Sequence, residues 1–239
     1  MQTRKIMAKA KVKWLSHAGF QITSEEGKVI LIDPWLEGNP LAPCGVKEID
    51  TADLVLVTHD HFDHAGNAAQ IAKNTGAVLV GMPETVGRLS AEAELPEEQI
   101  VFGMGMNIGG TYRVDGIAVT MTQAFHSSQT GAPCGYIITL ENGFTIYHAG
   151  DTGIFSAMKI LGELYPLDLA LLPIGGVFTM DPRQAAAAAK LLGAKKVVPM
   201  HYKTFPILVQ EAAPFVEAVQ KEAPDVEVVV LAPGEERLI

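Results

Sequence analysis

Nine short runs of apolar, often β-branched residues recur along the chain, separated by turn residues or by helix-like segments. Runs of this length and composition are typical of buried β-strands. They occupy residues 29–32, 54–57, 77–80, 117–121, 136–140, 144–147, 169–172, 197–199 and 226–231. The helix-like segments occupy residues 65–73, 83–93, 155–164, 182–192 and 205–221. Sheets bury such strands when helices pack outside them, so a layered α/β fold is predicted.

The 239 residues contain no linker rich in Pro, Gly and Ser, so a single domain spanning residues 1–239 is predicted. Hydrophobic residues make up 48% of the chain, which is enough to build a large core. Cys44 and Cys134 provide no disulfide framework at this length, as is typical of a reducing compartment. No apolar stretch reaches the roughly 18 residues of a membrane span, and the N-terminus lacks a hydrophobic signal core. A cytoplasmic protein without a membrane span is therefore expected.

The formal net charge is −9, and the acidic residues are spread along the chain. A field of this sign repels a polyanion, so nucleic acid is not expected as a general partner. Basic residues cluster only near the N-terminus, where they are interpreted as a solvated tail and first strand. This cluster consists of Arg4, Lys5, Lys9, Lys11 and Lys13.

Three of the seven histidines fall within the sequence THDHFDH, which follows a predicted strand directly and precedes a predicted helix. The segment therefore lies at the carboxyl end of a strand, where layered α/β folds commonly bind ligands. Imidazole and carboxylate donors suit zinc, manganese, iron or nickel. Asp63 and His64 are adjacent, so they cannot easily aim at the point that His59 and His61 share. Two metal ions, typically about 3.5–4 Å apart, are therefore predicted.

Three more donors, His126, Asp151 and His201, each follow a predicted strand and are expected at the same rim. Taken alone, His126 or His201 is more simply interpreted as an ordinary core or surface histidine. The histidine cluster favours metal binding instead, because packing gives no reason to place so many ionisable groups after a buried strand. Seven metal ligands are predicted: His59, His61, Asp63, His64, His126, Asp151 and His201.

The two remaining histidines, His17 and His148, are predicted to be catalytic. For His148 three interpretations stay open: a hydrogen-bond partner of a ligand, a proton donor to the leaving group, or a packed strand residue. His17 lies in a loop near the expected cleft. Asp33, at the end of a predicted strand, is expected to orient a ligand imidazole, with a simple Asp-Pro turn as the alternative.

Other residues are candidates for contacts with a substrate. Tyr202 and Lys203 follow a predicted ligand and are candidates for contact with an anionic or carbonyl group, the alternative being a solvated loop. Glycines allow close approach of the backbone, which suits the wall of a pocket. The predicted wall residues are Gly175, Gly176, Phe178 and Met180.

The spacing of His59, His61, Asp63 and His64 resembles the His-x-His-x-Asp-His signature of the metallo-β-lactamase superfamily. This resemblance implies a four-layer αββα sandwich, with two facing mixed sheets, helices outside and metals in a cleft at one edge. It also implies which donors share a metal. The first metal would take His59, His61 and His126; the second would take Asp63, His64 and His201; Asp151 would bridge the two.

Further segments are similar to the uncharacterised metal-dependent hydrolases grouped near L-ascorbate-6-phosphate lactonase. Asp181 stands where close relatives are expected to have a glycine, and Lys203 stands where a neutral residue is expected. The similar segments are WLSHAGF (14–20), LIDPWL (31–36), THDHFDH (58–64), YHAGDTGIF (147–155), PIGGVFTM (173–180) and MHYKTFPIL (200–208).

The chain is accordingly predicted to be a dinuclear metal-dependent hydrolase, in which a metal-bridging hydroxide attacks a small ester, lactone or phosphodiester. Asp63 is predicted to orient the hydroxide and relay its proton. Zinc is the favoured ion, with manganese, nickel and iron as alternatives. A small-molecule substrate, with an anionic one as an option, and a homo-oligomer are expected. Two alternatives stay open: an RNA-processing nuclease, and a metal-binding or ligand-sensing protein without turnover.

Overall fold

The computed structural model describes residues 9–239. Within this range Lys11 and Lys13 lie on the first strand, as the sequence predicts, with Lys11 exposed and Lys13 partly buried. Arg4 and Lys5 of the predicted basic cluster lie outside the described residues. The described part of the chain forms two β-sheets and six α-helices.

Six strands form the first sheet: β1 (Lys11–Trp14), β2 (Phe20–Thr23), β3 (Val29–Ile32), β4 (Leu54–Leu56), β5 (Val78–Val80) and β13 (Glu236–Leu238). Their order across the sheet is β13-β1-β2-β3-β4-β5. Pairing is antiparallel from β13 to β3 and parallel from β3 to β5. The sheet is therefore mixed, as predicted.

Seven strands form the second sheet: β6 (Thr111–Val114), β7 (Ile117–Gln123), β8 (Cys134–Thr139), β9 (Thr145–His148), β10 (Leu169–Pro173), β11 (Lys196–Met200) and β12 (Glu227–Val228). They lie side by side in reverse sequence order, from β12 to β6. Pairing is antiparallel from β6 to β9 and parallel from β9 to β12. This sheet is also mixed.

The six helices are α1 (Phe62–Ala65), α2 (Ala68–Thr75), α3 (Pro83–Ala93), α4 (Met158–Leu164), α5 (Pro182–Leu192) and α6 (Ala213–Glu222). Asp181 caps α5: its carboxylate accepts a hydrogen bond of 2.7 Å from the Gln184 backbone N–H. This cap explains an aspartate where the family resemblance leads one to expect glycine. No helix within residues 9–239 is long and apolar enough to cross a membrane.

Strand β3 is buried along its whole length, and its side chains show how the helices and sheets form layers. Successive side chains of a strand point to opposite faces. Ile30 and Ile32 pack in a cluster that includes Ile138 of the second sheet, whereas Leu31 packs in a separate cluster with Ile71 of α2. On the other side of the molecule, α5 contacts β10. The layers therefore run helix, sheet, sheet, helix, and the predicted αββα sandwich is confirmed.

Several predicted elements have different bounds in the structure, among them the following three. The helix predicted at residues 205–221 begins only at Ala213, because residues 205–212 form a loop and a proline occupies the first turn of α6. The strand predicted at residues 226–231 is limited to Glu227–Val228. The helix predicted from residue 155 begins at Met158. The first of these differences has consequences for the site, because the 205–212 loop borders its cleft.

Candidate metal centre

The predicted ligands converge at one edge of the sandwich, because the segments that carry them follow strands ending at that edge. Strands β7 and β9 both run antiparallel to β8, and β9, β10 and β11 run parallel. Hence β7, β9 and β11 of the second sheet all end on the same side. The THDHFDH segment follows β4 of the first sheet and meets these three loops there.

His59, His61 and His126 form the first group of donors, and one ligand atom from each lies within 4.8 Å of the others. His59 Nε2 lies 3.0 Å from His61 Nδ1. The ring of His126 stands edge-on to both, at centroid distances of 5.1 Å from His59 and 5.2 Å from His61. Three imidazoles in this arrangement suit a zinc-type site that keeps a position open for water or substrate.

A second group brings together His17, Asp63, His64 and His201, again with one ligand atom from each within 4.8 Å of the others. The superfamily resemblance implies that the last three belong together, and the structure adds His17. His17 Nε2 lies 3.2 Å from Asp63 Oδ2, and its Nδ1 lies 2.6 Å from Thr204 Oγ1. A carboxylate only accepts hydrogen bonds, so Nε2 carries the proton and Nδ1 accepts one from the Thr204 hydroxyl.

Asp151 lies between the two groups. Its Oδ2 is 3.5 Å from His126 Nε2, 3.0 Å from His201 Nε2 and 3.3 Å from His64 Nε2. Burial raises the pKa of this carboxyl, but the neighbouring His201 and His64 hold it well below its usual value. Asp151 is therefore a carboxylate whose oxygens face imidazoles of both groups.

Buried atoms without hydrogen-bond partners mark this cluster as a place for a cation. Within residues 9–239, six buried side-chain polar atoms lack a partner, and three of them belong to residues of the cluster: His64 Nε2, Asp151 Oδ1 and His201 Nδ1, the last of which faces Gly175. Leaving such a group unsatisfied costs about 1–3 kcal/mol, so proteins seldom keep several together without a ligand. Imidazole and carboxylate are ligands that divalent transition metals prefer. The residues present fit metal ions.

Hydrogen bonds behind the cluster fix which ring nitrogens face inward. Asp33 is fully buried, and its Oδ2 accepts hydrogen bonds from His64 Nδ1 at 2.7 Å and from the Thr58 hydroxyl at 2.6 Å. Because the Thr58 hydroxyl donates to Asp33, its oxygen is free to accept from His59 Nδ1, 3.0 Å away. Both histidines thus present Nε2 to the cluster. The hydrogen bond that the prediction for Asp33 requires is therefore present, from His64.

The charge states of two histidines in the cluster also suit cation binding. Burial, together with the neighbouring His201, lowers the pKa of His17 to about 4. Burial and the neighbouring His64 lower the pKa of His59 to about 3, so both rings are neutral near pH 7. Burial also disfavours a charge on His64, but Asp151 and Asp33 raise its pKa well above the usual value. A cation at His64 would compete with that proton.

Comparison with known proteins identifies the family. A family model described as the beta-lactamase superfamily domain matches residues 28–202. The chain belongs to the metallo-β-lactamase superfamily. A UPF0173 metal-dependent hydrolase from Nitratidesulfovibrio vulgaris (strain DP4) is 54% identical to it, over 98% of this chain and 95% of the relative. Another from Pyrobaculum islandicum is 48% identical, over 94% of this chain and 97% of the relative.

A solved structure leads to the same family. Igni18, described as a novel metallo hydrolase from the archaeon Ignicoccus hospitalis KIN4/I, has a TM-score of 0.87 and 38% sequence identity. The match covers 97% of this chain and 99% of that one. As a member of the metallo-β-lactamase superfamily with such relatives, this chain is a metal-dependent hydrolase. The relation to L-ascorbate-6-phosphate lactonase stays a prediction.

Asp60 is a positioning residue of this superfamily member that sequence reasoning missed. Its buried carboxylate accepts hydrogen bonds from the Gln129 backbone N–H at 2.7 Å, the Ser128 hydroxyl at 2.7 Å and the Thr130 hydroxyl. Arg88 Nε donates a further bond of 3.1 Å. These contacts tie the histidine segment to the loop after β7, which carries the third histidine of the first group. The only signal in the sequence was the place of Asp60 between two predicted ligands.

Two residues predicted to act at the site are instead buried and packed against other parts of the protein. His148 is fully buried: its Nε2 donates to the Ala18 carbonyl at 2.9 Å, and its Nδ1 accepts from the Gly150 N–H at 3.1 Å. With both ring nitrogens bonded to backbone, His148 has none left for a substrate. We therefore correct its predicted catalytic role to that of a packed strand residue. Tyr202 is likewise buried and stacks on Trp14 at a centroid distance of 5.3 Å.

The wall of the cleft also differs in part from the prediction. Of the four predicted wall residues, Phe178 alone is among the described residues that line the cleft, and Lys203 does not line it either. Gly175 does not line the cleft but packs against His201, which does. A Cβ built on it would lie 2.3 Å from the His201 carbonyl oxygen and 3.0 Å from His201 Nδ1. Only glycine therefore leaves room for His201.

Gly175→Ala is expected to displace His201, which should lower the free energy of unfolding by about 1–3 kcal/mol and weaken metal binding. Urea denaturation and elemental analysis of the purified variant measure the two effects. Gly153→Ala is the matched control, because a Cβ at Gly153 meets no atom within 4 Å. Equal behaviour of the two variants would show that the close approach to His201 does not matter.

Proposed function

We propose that the chain is a dinuclear metal-dependent hydrolase acting on a small ester, lactone or phosphodiester. In this proposal the residues keep the grouping implied by the superfamily signature. His59, His61 and His126 hold one divalent cation; Asp63, His64 and His201 hold the other; Asp151 contributes to both. Zinc is the favoured ion, with manganese, nickel and iron as alternatives.

The observation that carries the proposal is the position of Asp151. A buried carboxylate with one oxygen near imidazoles of both groups, and its other oxygen without a partner, is what a ligand shared between two cations requires. The two groups of donors around it are separate sets of histidines and carboxylates, each able to contribute at least three ligand atoms.

When bound, divalent cations supply a water of lowered pKa as nucleophile and polarise the substrate oxygen. The residues of this chain position the groups that handle the proton. Asp63 is held by the His17 N–H, and His17 is in turn fixed by the Thr204 hydroxyl. Asp63 is therefore placed to accept a proton at its carboxylate and pass it toward a leaving group. His17, predicted to be catalytic, acts in this proposal by orienting Asp63, and Asp33 acts by orienting His64.

A substrate panel tests the proposal. Protein loaded with zinc, manganese, nickel or iron(II) is offered p-nitrophenyl esters, γ-lactones, bis-p-nitrophenyl phosphate and a labelled precursor tRNA. We expect turnover of an ester, lactone or phosphodiester that disappears on chelation and returns with metal. Cleavage of RNA alone would favour the nuclease instead. No turnover by fully loaded protein would favour a metal-binding or ligand-sensing protein.

A further inference from the structure

The cleft in front of the candidate metal centre has a volume of about 740 Å³, within the range of sites for small organic ligands. Its charged lining consists of the proposed ligands themselves. None of its lining residues, all within residues 9–239, is a lysine or an arginine. An anionic group of a substrate would therefore meet no cationic side chain in the cleft, while the net charge of −9 repels it.

The rest of the lining is largely apolar and unusually exposed. Phe62 is 64% exposed, Phe178 is 56% exposed and Ile207 is 60% exposed. They come from three separate segments, namely the start of α1, the loop after β10 and the loop after β11. Large apolar side chains that gather from different segments around one cleft mark a binding surface for an apolar group.

One side of the apolar lining is fixed from behind by Trp35. The Trp35 ring stacks on Phe205 with centroids 5.7 Å apart and an interplanar angle of 16°. It also meets Phe62 edge-on at 5.6 Å, and Phe62 and Phe205 lie 6.4 Å apart. Because Trp35 is itself buried, it holds these two rings in place. The wall is thus organised before any ligand arrives, which lowers the entropic cost of binding.

The polar part of the lining is neutral apart from the proposed ligands. Ser127 and Gln129, from the loop after β7, are hydroxyl and amide groups that suit a carbonyl or ether oxygen. A phosphodiester carries a full negative charge at neutral pH, whereas an ester or lactone carries none. Outside the metal centre, the lining therefore offers nothing to balance the charge of a phosphodiester, and it suits the two carbonyl substrates better.

From the apolar, cation-free lining around the metal centre, we infer that the substrate is an uncharged carboxylic ester or lactone carrying an acyl or aryl group of several carbons. This inference rests on the proposed hydrolase function and specifies its substrate class. Hydrolysis adds one water across the acyl C–O bond: the water oxygen bonds to the carbonyl carbon, and the departing alkoxide takes a proton. The products are a carboxylic acid and an alcohol.

Two series of ligands test this inference. The metal-loaded protein hydrolyses p-nitrophenyl acetate, butyrate, hexanoate and octanoate, and kcat/KM is compared along the series. Calorimetry measures the affinity of acetyl, butyryl, hexanoyl and octanoyl hydroxamates, whose binding does not require turnover. Full burial of a methylene strengthens binding about fourfold, so partial burial should give at least a roughly 30-fold increase from acetyl to octanoyl in both series.

The variants Phe178→Ser and Ile207→Ser should each reduce this increase about fivefold. Leu164→Ser is the matched control, because Leu164 is 66% exposed on α4 and does not line the cleft. It should leave both series unchanged. Since all three side chains are on the surface, their replacement should not affect folding.

The outcomes separate the inference from the function on which it rests. If hydroxamate affinity rises with chain length but no ester is hydrolysed, the apolar binding site is supported and the proposed function is refuted. Ester hydrolysis with a flat series, or a preference for bis-p-nitrophenyl phosphate over the octanoate ester, would overturn the inference. A change of molar mass in solution for Phe178→Ser and Ile207→Ser, with the chain-length series unchanged, would also overturn it, because the patch would then be a contact between copies of the chain.

Discussion

Asp151→Asn is expected to abolish catalysis and to deplete the protein of metal. The substitution keeps the size of the side chain but removes the negative charge that faces His64, His126 and His201. An outer residue that merely orients a ligand costs about 10- to 100-fold when it is replaced, so a shared ligand should cost more than about 100-fold in kcat/KM. Elemental analysis should show one metal ion per chain or fewer.

Asp225→Asn is the matched control, because Asp225 is an exposed carboxylate in the turn before β12. It should keep the metal content and activity of the original chain. The circular dichroism spectrum of Asp151→Asn should also stay unchanged, because the two sheets and not the metals supply the apolar core. If Asp151→Asn kept both full activity and full metal content, the proposed role of this carboxylate would be wrong.

Asp60→Ala should produce a large loss of stability. Removal of the Asp60 carboxylate leaves the Gln129 N–H and the Thr130 hydroxyl without their acceptor. It also removes the buried ion-pair partner of Arg88. We expect a decrease of about 3 kcal/mol in the free energy of unfolding, measured by urea denaturation at pH 7. The loop after β7 should loosen with it, so metal binding at the first group should weaken too.

The control for Asp60→Ala removes the other acid that contacts the same arginine. Glu92 lies 2.8 Å from Arg88 on the surface, so Glu92→Ala should change stability by less than about 1 kcal/mol. The effect of Asp60→Ala should also depend on pH. Hydrogen bonds from Thr130 and Ser128 outweigh the effect of burial and hold the pKa of Asp60 below its usual range, so its contribution is complete above about pH 4.

Below about pH 4 the unfolded chain takes up the Asp60 proton before the folded chain does, and the contribution is lost as the pH falls toward the lowered folded-state pKa. The stabilities of the original chain and of Asp60→Ala should therefore converge in acid. A difference that stays constant from pH 7 to pH 3, or is absent at pH 7, would show that the hydrogen bonds to this carboxylate do not secure the loop.

Much of the fold was predictable because its central strands are covered on both faces. Strands such as β4 and β10 are continuous apolar runs for this reason, and the sequence shows them directly. Edge strands give weaker signals. Strand β6 is only partly buried and β13 is exposed, so their pairing depends on neighbours distant in sequence. The loop of residues 205–212 resembles a helix in composition, but its backbone instead follows the cleft.

The proposed ligands could be identified in the sequence because they follow strands, and the resemblance to the superfamily signature supplied their proposed grouping. The direction of each side chain was not predictable in the same way. His148 lies on β9, three residues before Asp151, yet its ring points to backbone atoms near β2. Three partners of Asp60 are 68 to 70 residues away in the chain and Arg88 is 28 residues away, so no local pattern reveals them. The single domain, the homo-oligomer and the cytoplasmic location stay predictions.

The most direct test of the two-cation centre is an anomalous difference map from crystals of zinc-loaded protein, recorded at the zinc edge. Two peaks about 3.5–4 Å apart are expected. One should lie about 2.0–2.2 Å from nitrogens of His59, His61 and His126, and the other at the same distance from ligand atoms of Asp63, His64 and His201. A single peak, or peaks away from these side chains, would contradict the proposed centre.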